Sequence, residues 1–165
     1  MPANEFSETT FLDDQTCNFG TSKDFKFVYD SADNRLEIRD TADAVIGTLS
    51  TGGALGVVGR LTASTFLSLG SSSNLTIASG AITVTKSYHR VGGEGAAADD
   101  LVTINGTSQG DIVVIRRNSE TITVRDATGN LLLNGSDCVL SAASMNIVLM
   151  NYDGTNLMEL SRNSA

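Results

Sequence analysis

The sequence predicts an all-β fold of short antiparallel strands, arranged in sandwich-like or barrel-like modules with very little helix. Two observations support this class. Short apolar runs recur at intervals of about eight to twelve residues in the second half of the chain, and turns such as Asn105-Gly106 and Asp153-Gly154 separate them. The 16 glycines are spread so that no long segment has helical start and stop signals.

The first part of the chain divides into an acidic N-terminal arm, residues 1–15, and a small β-hairpin module, residues 16–50. The arm is polar and acidic and lacks the basic start and apolar stretch of a signal peptide. In the module, the runs FKFVYD and RLEIRD alternate apolar and polar residues, which is the period of a half-buried strand. Asp33-Asn34 between them is typical of a tight turn, so the pair predicts a hairpin.

Residues 51–80 form a Gly/Ser/Thr-rich, charge-poor segment. Between residues 44 and 85 the one charged side chain is Arg60, whereas a solvated surface normally carries charges of both signs. Large apolar residues recur too often for a flexible linker, so we expect this segment to be buried against other copies of the chain as a trimer core. The predicted trimer-interface residues are Leu55, Val57, Val58, Leu61, Phe66, Leu69, Leu75 and Ile77.

Residues 81–165 form a β-rich C-terminal domain. Its apolar runs, such as DIVVIRR and NIVLMNYD, are strand-sized and follow one another with Gly or Asn at the breaks. Evenly spaced short strands of this kind are typical of sandwiches, barrels or stacked-rung folds.

The net charge of −8 argues against two classes of partner. A nucleic-acid-binding protein needs a basic surface that neutralises phosphates, and an anionic membrane surface would repel an acidic chain. We therefore predict neither nucleic acid nor membrane as a partner. The two cysteines, Cys17 and Cys138, are far apart in the chain and are interpreted as reduced thiols.

No pattern in the sequence points to catalysis or to a bound group. His89 is the single histidine and is interpreted as an ordinary strand residue. The run GGALGVVGR lacks the Lys-Ser/Thr ending of a phosphate-binding loop. Asp30, Asp33 and Asp40 do not have the offsets of a calcium loop. The sequence thus predicts no catalytic residue, no metal site and no cofactor, and a protein that is not an enzyme.

Two stretches resemble structural proteins of tailed bacteriophages. The first, CNFGTSKDFKFVYDSADNRLEI, is residues 17–38 and resembles an element common near the start of virion proteins. The second, residues 81–163, carries AITVTKSYHRV, DDLVTING, GDIVVIR, TITVRDATGNLLLNG and IVLMNYDGTNLMELSRN. Together these landmarks resemble the β-rich C-terminal module of phage tail-fibre, head-fibre and capsid cement proteins.

The resemblance implies an intertwined homotrimeric virion component, made in the host cytoplasm. The leading interpretation is a capsid cement, or decoration, protein that binds the outer surface of the phage head and bridges neighbouring major capsid subunits. The alternative is a short tail or head fibre, an adhesin tip that recognises the host surface. Length favours cement, because 165 residues leave little room for a fibre shaft. A glycan-degrading spike enzyme would need paired catalytic carboxylates, and no spacing singles out such a pair.

The acidic arm supplies the predicted contact with the major capsid protein. Such a segment cannot bury enough apolar surface to hold itself, but it can order against a partner. Aromatic residues would fill pockets on the capsid subunit, and the carboxylates would meet its basic residues. The predicted capsid-contact residues are Phe6, Phe11, Leu12, Asp13 and Asp14.

Overall fold

The computed structural model describes residues 16–19, 25–62 and 66–163, and these residues form an all-β protein. Within these ranges the helical content is a short 3-10 turn at Glu94–Ala96. No helix of the described chain is long and apolar enough to cross a membrane. The chain separates into two compact units, Met1–Phe66 and Leu67–Ala165, called unit 1 and unit 2 below. The predicted four-part division of the sequence stays a prediction.

Unit 1 contains one five-stranded antiparallel sheet whose strands lie side by side in chain order. The strands are β1 (Thr16–Phe19), β2 (Phe25–Asp30), β3 (Arg35–Arg39), β4 (Val45–Ser50) and β5 (Leu55–Val57). The hairpin predicted from FKFVYD and RLEIRD is confirmed as β2 and β3. Its turn forms because Asp30 Oδ1 accepts hydrogen bonds from the backbone N–H groups of Ala32 and Asp33, and Asn34 takes a positive φ of 54°.

Unit 2 contains the remaining strands in three sheets. They are β6 (Ser73–Thr76), β7 (Ala81–Thr83), β8 (Tyr88–Gly92), β9 (Asp99–Leu101), β10 (Thr103–Asn105), β11 (Ile112–Arg117), β12 (Ile122–Val124), β13 (Leu131–Leu132), β14 (Cys138–Leu140), β15 (Asn146–Asn151) and β16 (Leu157–Asn163). In the largest sheet the strand order is β13-β16-β15-β11-β8-β6.

The strands of unit 2 are stacked as in a β-solenoid. The chain passes from one sheet to the next and returns about one rung later, so equivalent strands pair in parallel: β8 with β6 and β11, β10 with β7, and β12 with β9. Ile104, for example, pairs with Ile82 of the preceding rung. The prediction of antiparallel pairing is therefore wrong for these strands. It holds for β11–β15, β15–β16 and β12–β14.

The core of unit 2 is formed by apolar side chains that alternate along the stacked strands and point between the sheets. In β11, for example, Val113 and Ile115 are buried, whereas Ile112 is exposed. The buried cluster consists of Ile77, Ile82, Val84, Val91, Leu101, Ile104, Val113, Ile115, Ile122, Val124, Leu131, Cys138, Leu140, Ile147, Leu149 and Leu157. A cluster of this size explains how unit 2 is stabilised by its own residues.

The corner between β12 and β13 shows why its sequence is Gly-Asn. Gly129 has a φ of +63°, and a Cβ there would lie 2.1 Å from the carbonyl oxygen of Val102 in the rung below. The side chain of Asn130 then accepts a hydrogen bond from Ile104 N–H and donates one to Ile104 C=O, at 3.0 and 2.8 Å. Its amide thus takes the place of a neighbouring strand at the end of β10.

The turn between β15 and β16 is organised by Asp153. Its carboxylate accepts hydrogen bonds from the backbone N–H of Asn156, from the side-chain amide of Asn156 and from the backbone N–H of Thr155, at 2.6, 2.8 and 2.8 Å. These bonds, led by that of the Asn156 backbone, lower the pKa of Asp153 to about 2. The Asp153-Gly154 turn predicted from the sequence is confirmed, since it joins the antiparallel strands β15 and β16.

Candidate functional site

One face of the unit 1 sheet is apolar from edge to edge. The strand register places Cys17, Phe27, Ile38, Gly47 and Val57 in a single row across all five strands. A second row carries further apolar residues from β2 to β5. This surface is called the apolar face and consists of Cys17, Phe25, Phe27, Tyr29, Leu36, Ile38, Gly47, Leu49, Leu55 and Val57. Because side chains alternate along a strand, none of its members shares a side of the sheet with the charged residues of β2 and β3.

The apolar face of unit 1 is partly exposed: Phe27, Tyr29, Leu36 and Ile38 are half-buried, whereas the members in β4 and β5 are more open. Leu55 is 64% exposed and Leu49 is 48% exposed, and Phe25 and Val57 are exposed as well. Among the described residues of unit 1, the one large apolar side chain that is buried is Val28, which lies on the opposite face. Large exposed apolar patches of this kind mark surfaces that associate with another molecule. The contrast with the closed core of unit 2 singles out this face as the candidate site.

The opposite face of the same sheet carries an ion network centred on Glu37. Its carboxylate is 1% exposed and accepts hydrogen bonds from Arg35 at 2.9 and 2.7 Å and from Arg39 at 2.7 Å. These contacts, first those from Arg35, hold the pKa of the Glu37 carboxyl below its usual value. Lys26 and Asp43 extend the network with a 2.8 Å ion pair. The sheet is therefore apolar on one face and charged on the other.

Asp30, Asp33 and Glu37 place carboxylate oxygens within 4.8 Å of one another, but their contacts are those of a structural cluster. Both oxygens of Glu37 are bound by guanidinium groups, Asp33 pairs with Arg35, and Asp30 Oδ1 accepts the turn N–H groups. A metal ion would have to compete with these partners. We assign no metal to the cluster.

The predicted trimer-interface residues lie in three different environments. Leu55 and Val57 belong to the apolar face. Val58, Leu61, Phe66 and Leu69 are exposed in the stretch after β5, and Phe66 is 90% exposed. Leu75 is half-buried and packs against the unit 2 core.

Ile77 differs from the other predicted trimer-interface residues. Its side chain is 0% exposed in the single chain, because it is a member of the unit 2 core. Its predicted place at a trimer interface is not supported by this exposure and stays a prediction. The charge-poor composition that marked it reflects burial within its own chain.

The predicted capsid-contact residues Phe6, Phe11, Leu12, Asp13 and Asp14 lie outside the described residues. The sequence interpretation also left members of the apolar face unassigned, namely Phe25, Phe27, Tyr29, Leu36, Ile38 and Leu49. The alternation in FKFVYD and RLEIRD indicated that these strands are half-buried. It did not indicate whether their apolar side faces the same chain or another one.

His89 is confirmed as a strand residue of β8, and it is fully buried. Its Nδ1 is 2.8 Å from Ser73 Oγ, and its Nε2 is 3.3 and 3.2 Å from the backbone nitrogens of Thr85 and Lys86. Both ring nitrogens are thus engaged in holding the chain before β8 against β6. This arrangement serves the structure of unit 2.

Two clefts open on unit 2. One, of about 240 Å³, lies between residues 84–87 and 106–113 and includes Lys86 and Asp111. The other, of about 390 Å³, is lined by neutral residues, mostly Thr, Asn and Gly, from residues 103–107, 129–130 and 151–155. The polar lining of the second cleft is suited to hydroxyl-rich ligands.

The apolar face of unit 1, uncharged and backed by an ion network, can bind another apolar surface without leaving a charge unpaired. The clefts of unit 2 have mixed linings, with Val84, Ile112 and Val113 in the first and Ile104 in the second. A comparison of the sequence with models of known protein families gives no match, and neither does a comparison with curated proteins.

Proposed function

We propose that this chain is a structural, non-enzymatic protein that works as a homotrimer and serves as a capsid cement protein of a tailed phage. In this proposal the trimer binds the outer surface of the head and bridges neighbouring major capsid subunits. A bridge of this kind stabilises the assembled shell by mass action, as a ligand stabilises the folded state that it binds. The phage context and the number three rest on the resemblance of residues 17–38 and 81–163 to virion proteins.

One observation carries the association of copies: part of the apolar face of unit 1 is exposed in the single chain. Leu49, Leu55 and Val57 leave large fractions of their side chains uncovered. Unit 2 has a closed core of its own, although scattered apolar side chains such as Leu160 remain exposed on its surface. A unit that leaves Leu49, Leu55 and Val57 exposed on one face of its sheet supports a role in assembly.

The uncharged character of this face permits a second copy to occupy it despite the acidity of the chain. Each chain carries a net charge of −8, so copies repel one another at most orientations. The apolar face bears no charged side chain, and the ion pairs of Glu37 and Lys26 lie on the other side of the sheet. Two copies can therefore approach through this face without burying an unpaired charge.

Two measurements on the purified chain test the proposal. Sedimentation equilibrium at micromolar concentration should give three times the 17.3 kDa chain mass. The purified trimer should then bind heads that lack decoration protein, saturate, and raise the temperature at which the heads break open. A stable monomer would contradict the association, and a trimer that binds tails or host cells but never heads would contradict the cement role.

The second candidate is a short fibre or adhesin tip. The observation that favours it is the solenoid-like unit 2, since stacked rungs present a repeated surface and the neutral cleft near Asn105 and Asn151 offers hydrogen-bonding groups. A glycan of the host surface is the chemistry that such a cleft would fit. Binding of the trimer to host cells but not to heads, lost in an Asn105→Ala variant that remains a trimer, would favour this role over cement.

A further inference from the structure

The six-stranded sheet of unit 2 has one side turned toward the core and one side turned away from it. In β11, Val113 and Ile115 are buried, so Ile112, Val114 and Arg116 lie on the side away from the core. The strand register continues each of these three positions as a row onto the neighbouring strands. These three rows are called the outer face below.

One row of the outer face carries arginine and asparagine side chains only. It crosses β6, β8, β11, β15 and β16 through Asn74, Arg90, Arg116, Asn146 and Asn163. Directly opposed residues on adjacent strands lie about 4.8 Å apart, and like charges placed there repel each other. The pairing of Arg90 with Arg116 is therefore unfavourable unless an anion joins them.

Neither arginine forms an ion pair with a described residue. Arg90 donates a hydrogen bond of 3.4 Å to the carbonyl of Asn118. Arg116 donates one of 2.9 Å to the hydroxyl of Tyr88 and another to the carbonyl of Ala143, and these acceptors are neutral. Within the part of the chain that the structure describes, the Nε of Arg116 is buried without a hydrogen-bond partner. Both side chains can therefore still accept a carboxylate as counter-ion.

The other two rows of the outer face are largely apolar. Ile112, Leu132 and Met158 are 44%, 38% and 38% exposed, and Met150 joins them in one row. None of the residues in the three rows is Asp, Glu or Lys, although the chain has 19 acidic residues. The centres of protein–protein interfaces are likewise depleted in these residue types and enriched in Arg, Met and aromatic residues.

We propose that the outer face of unit 2 binds a protein surface that has an apolar centre and, beside it, carboxylates that pair with Arg90 and Arg116. This inference rests on the proposed cement function, under which that surface belongs to the major capsid protein, and it specifies how the trimer docks on the head. The apolar face of unit 1, through which copies are proposed to associate, bears no charged side chain and cannot supply these carboxylates. A nucleic acid or an anionic membrane is repelled by the net charge of −8, which two arginines do not offset.

The test measures the binding of purified variants to heads that lack decoration protein. Met158→Asp on the outer face and Val139→Asp in β14, on another sheet, introduce the same charge at 38% and 39% exposure. Arg116→Glu places a carboxylate against the carboxylates of the partner. We expect Met158→Asp and Arg116→Glu each to weaken head binding about thirtyfold or more, and Val139→Asp to bind as wild type. All three variants should sediment as trimers and keep the β spectrum in circular dichroism.

The outcomes separate this inference from the proposed function. Wild-type head binding in both Met158→Asp and Arg116→Glu would overturn the inference and leave the cement role intact. If Arg116→Glu is folded and binds as wild type while Met158→Asp does not bind, the partner supplies no carboxylate, which overturns the proposed chemistry. If Arg116→Glu loses its β spectrum, Met158→Asp is the deciding variant. Dissociation of the Met158→Asp trimer, with Val139→Asp intact, would place the outer face between copies and overturn the inference. A wild-type trimer that never binds heads would overturn the proposed function together with the inference.

Discussion

A carboxylate placed on the apolar face should separate the copies. Leu49 lies in β4 near the middle of that face and is 48% exposed in the single chain. Leu160 in β16 of unit 2 is 45% exposed and is a matched control. Leu49→Asp and Leu160→Asp introduce the same charge at nearly the same exposure. If the apolar face is buried between copies, the first variant dissociates and the second does not.

The expected loss of association free energy follows from the exposed fraction of Leu49. Complete burial of a leucine side chain stabilises by about 1.5 to 3 kcal/mol. Since about half of Leu49 remains uncovered, covering it contributes about 0.7 to 1.5 kcal/mol per chain. Three chains lose about 2 to 4 kcal/mol, which corresponds to a trimer dissociation constant raised about thirtyfold to a thousandfold. The buried, unpaired carboxylate adds a further cost in the same direction.

Sedimentation velocity over a range of concentrations measures this change directly, and circular dichroism shows whether the β spectrum is retained. We expect Leu49→Asp to shift to smaller species at micromolar concentration, and Leu160→Asp to behave as wild type. The reasoning is refuted if both variants keep the wild-type association, or if both lose it equally.

Three further predictions concern unit 2. Ile115→Ala should lower the free energy of unfolding by about 2 to 5 kcal/mol in urea titrations, because the removed side chain is fully buried. Gly129→Ala should lower the free energy of unfolding by about 3 kcal/mol or more, since its Cβ would collide with a carbonyl oxygen. Gly135→Ala, with a similar φ but open space around it, should lower the free energy of unfolding by about 1 kcal/mol. Equal losses in the two variants would contradict the close approach at Gly129. Asp153→Ala should lower the urea midpoint at pH 7, because the hydrogen bonds led by the Asn156 N–H keep the pKa at about 2 in the folded chain, below about 3.9 when unfolded. That stabilisation is present above about pH 4 and is lost as the pH falls toward 2, so the two midpoints should converge there.

Strand positions could be predicted from the sequence because their signals are local. The alternation in residues 25–30 and 35–39 is contained within each strand, and the structure has β2 and β3 there. The parallel pairs of unit 2 were predicted incorrectly, because a parallel partner is a whole rung away in the chain and leaves no local pattern. Asn105-Gly106 shows the difficulty: the dipeptide suggested a hairpin, but it forms a corner after β10, which pairs with β7.

The association surface was harder to predict, because the sequence interpretation grouped residues by segment, whereas a sheet separates them by face. Leu36 and Ile38 belong to the apolar face, yet each is next to Arg35, Glu37 or Arg39 in the chain, so their segment is charged. Conversely, the charge-poor segment includes Ile77, which is buried in its own unit. An average over neighbouring residues mixes the two sides of a strand. With Glu37 and its arginines on one face, an acidic chain can keep its charges paired while the other face remains apolar, which is what an assembly of like-charged copies requires.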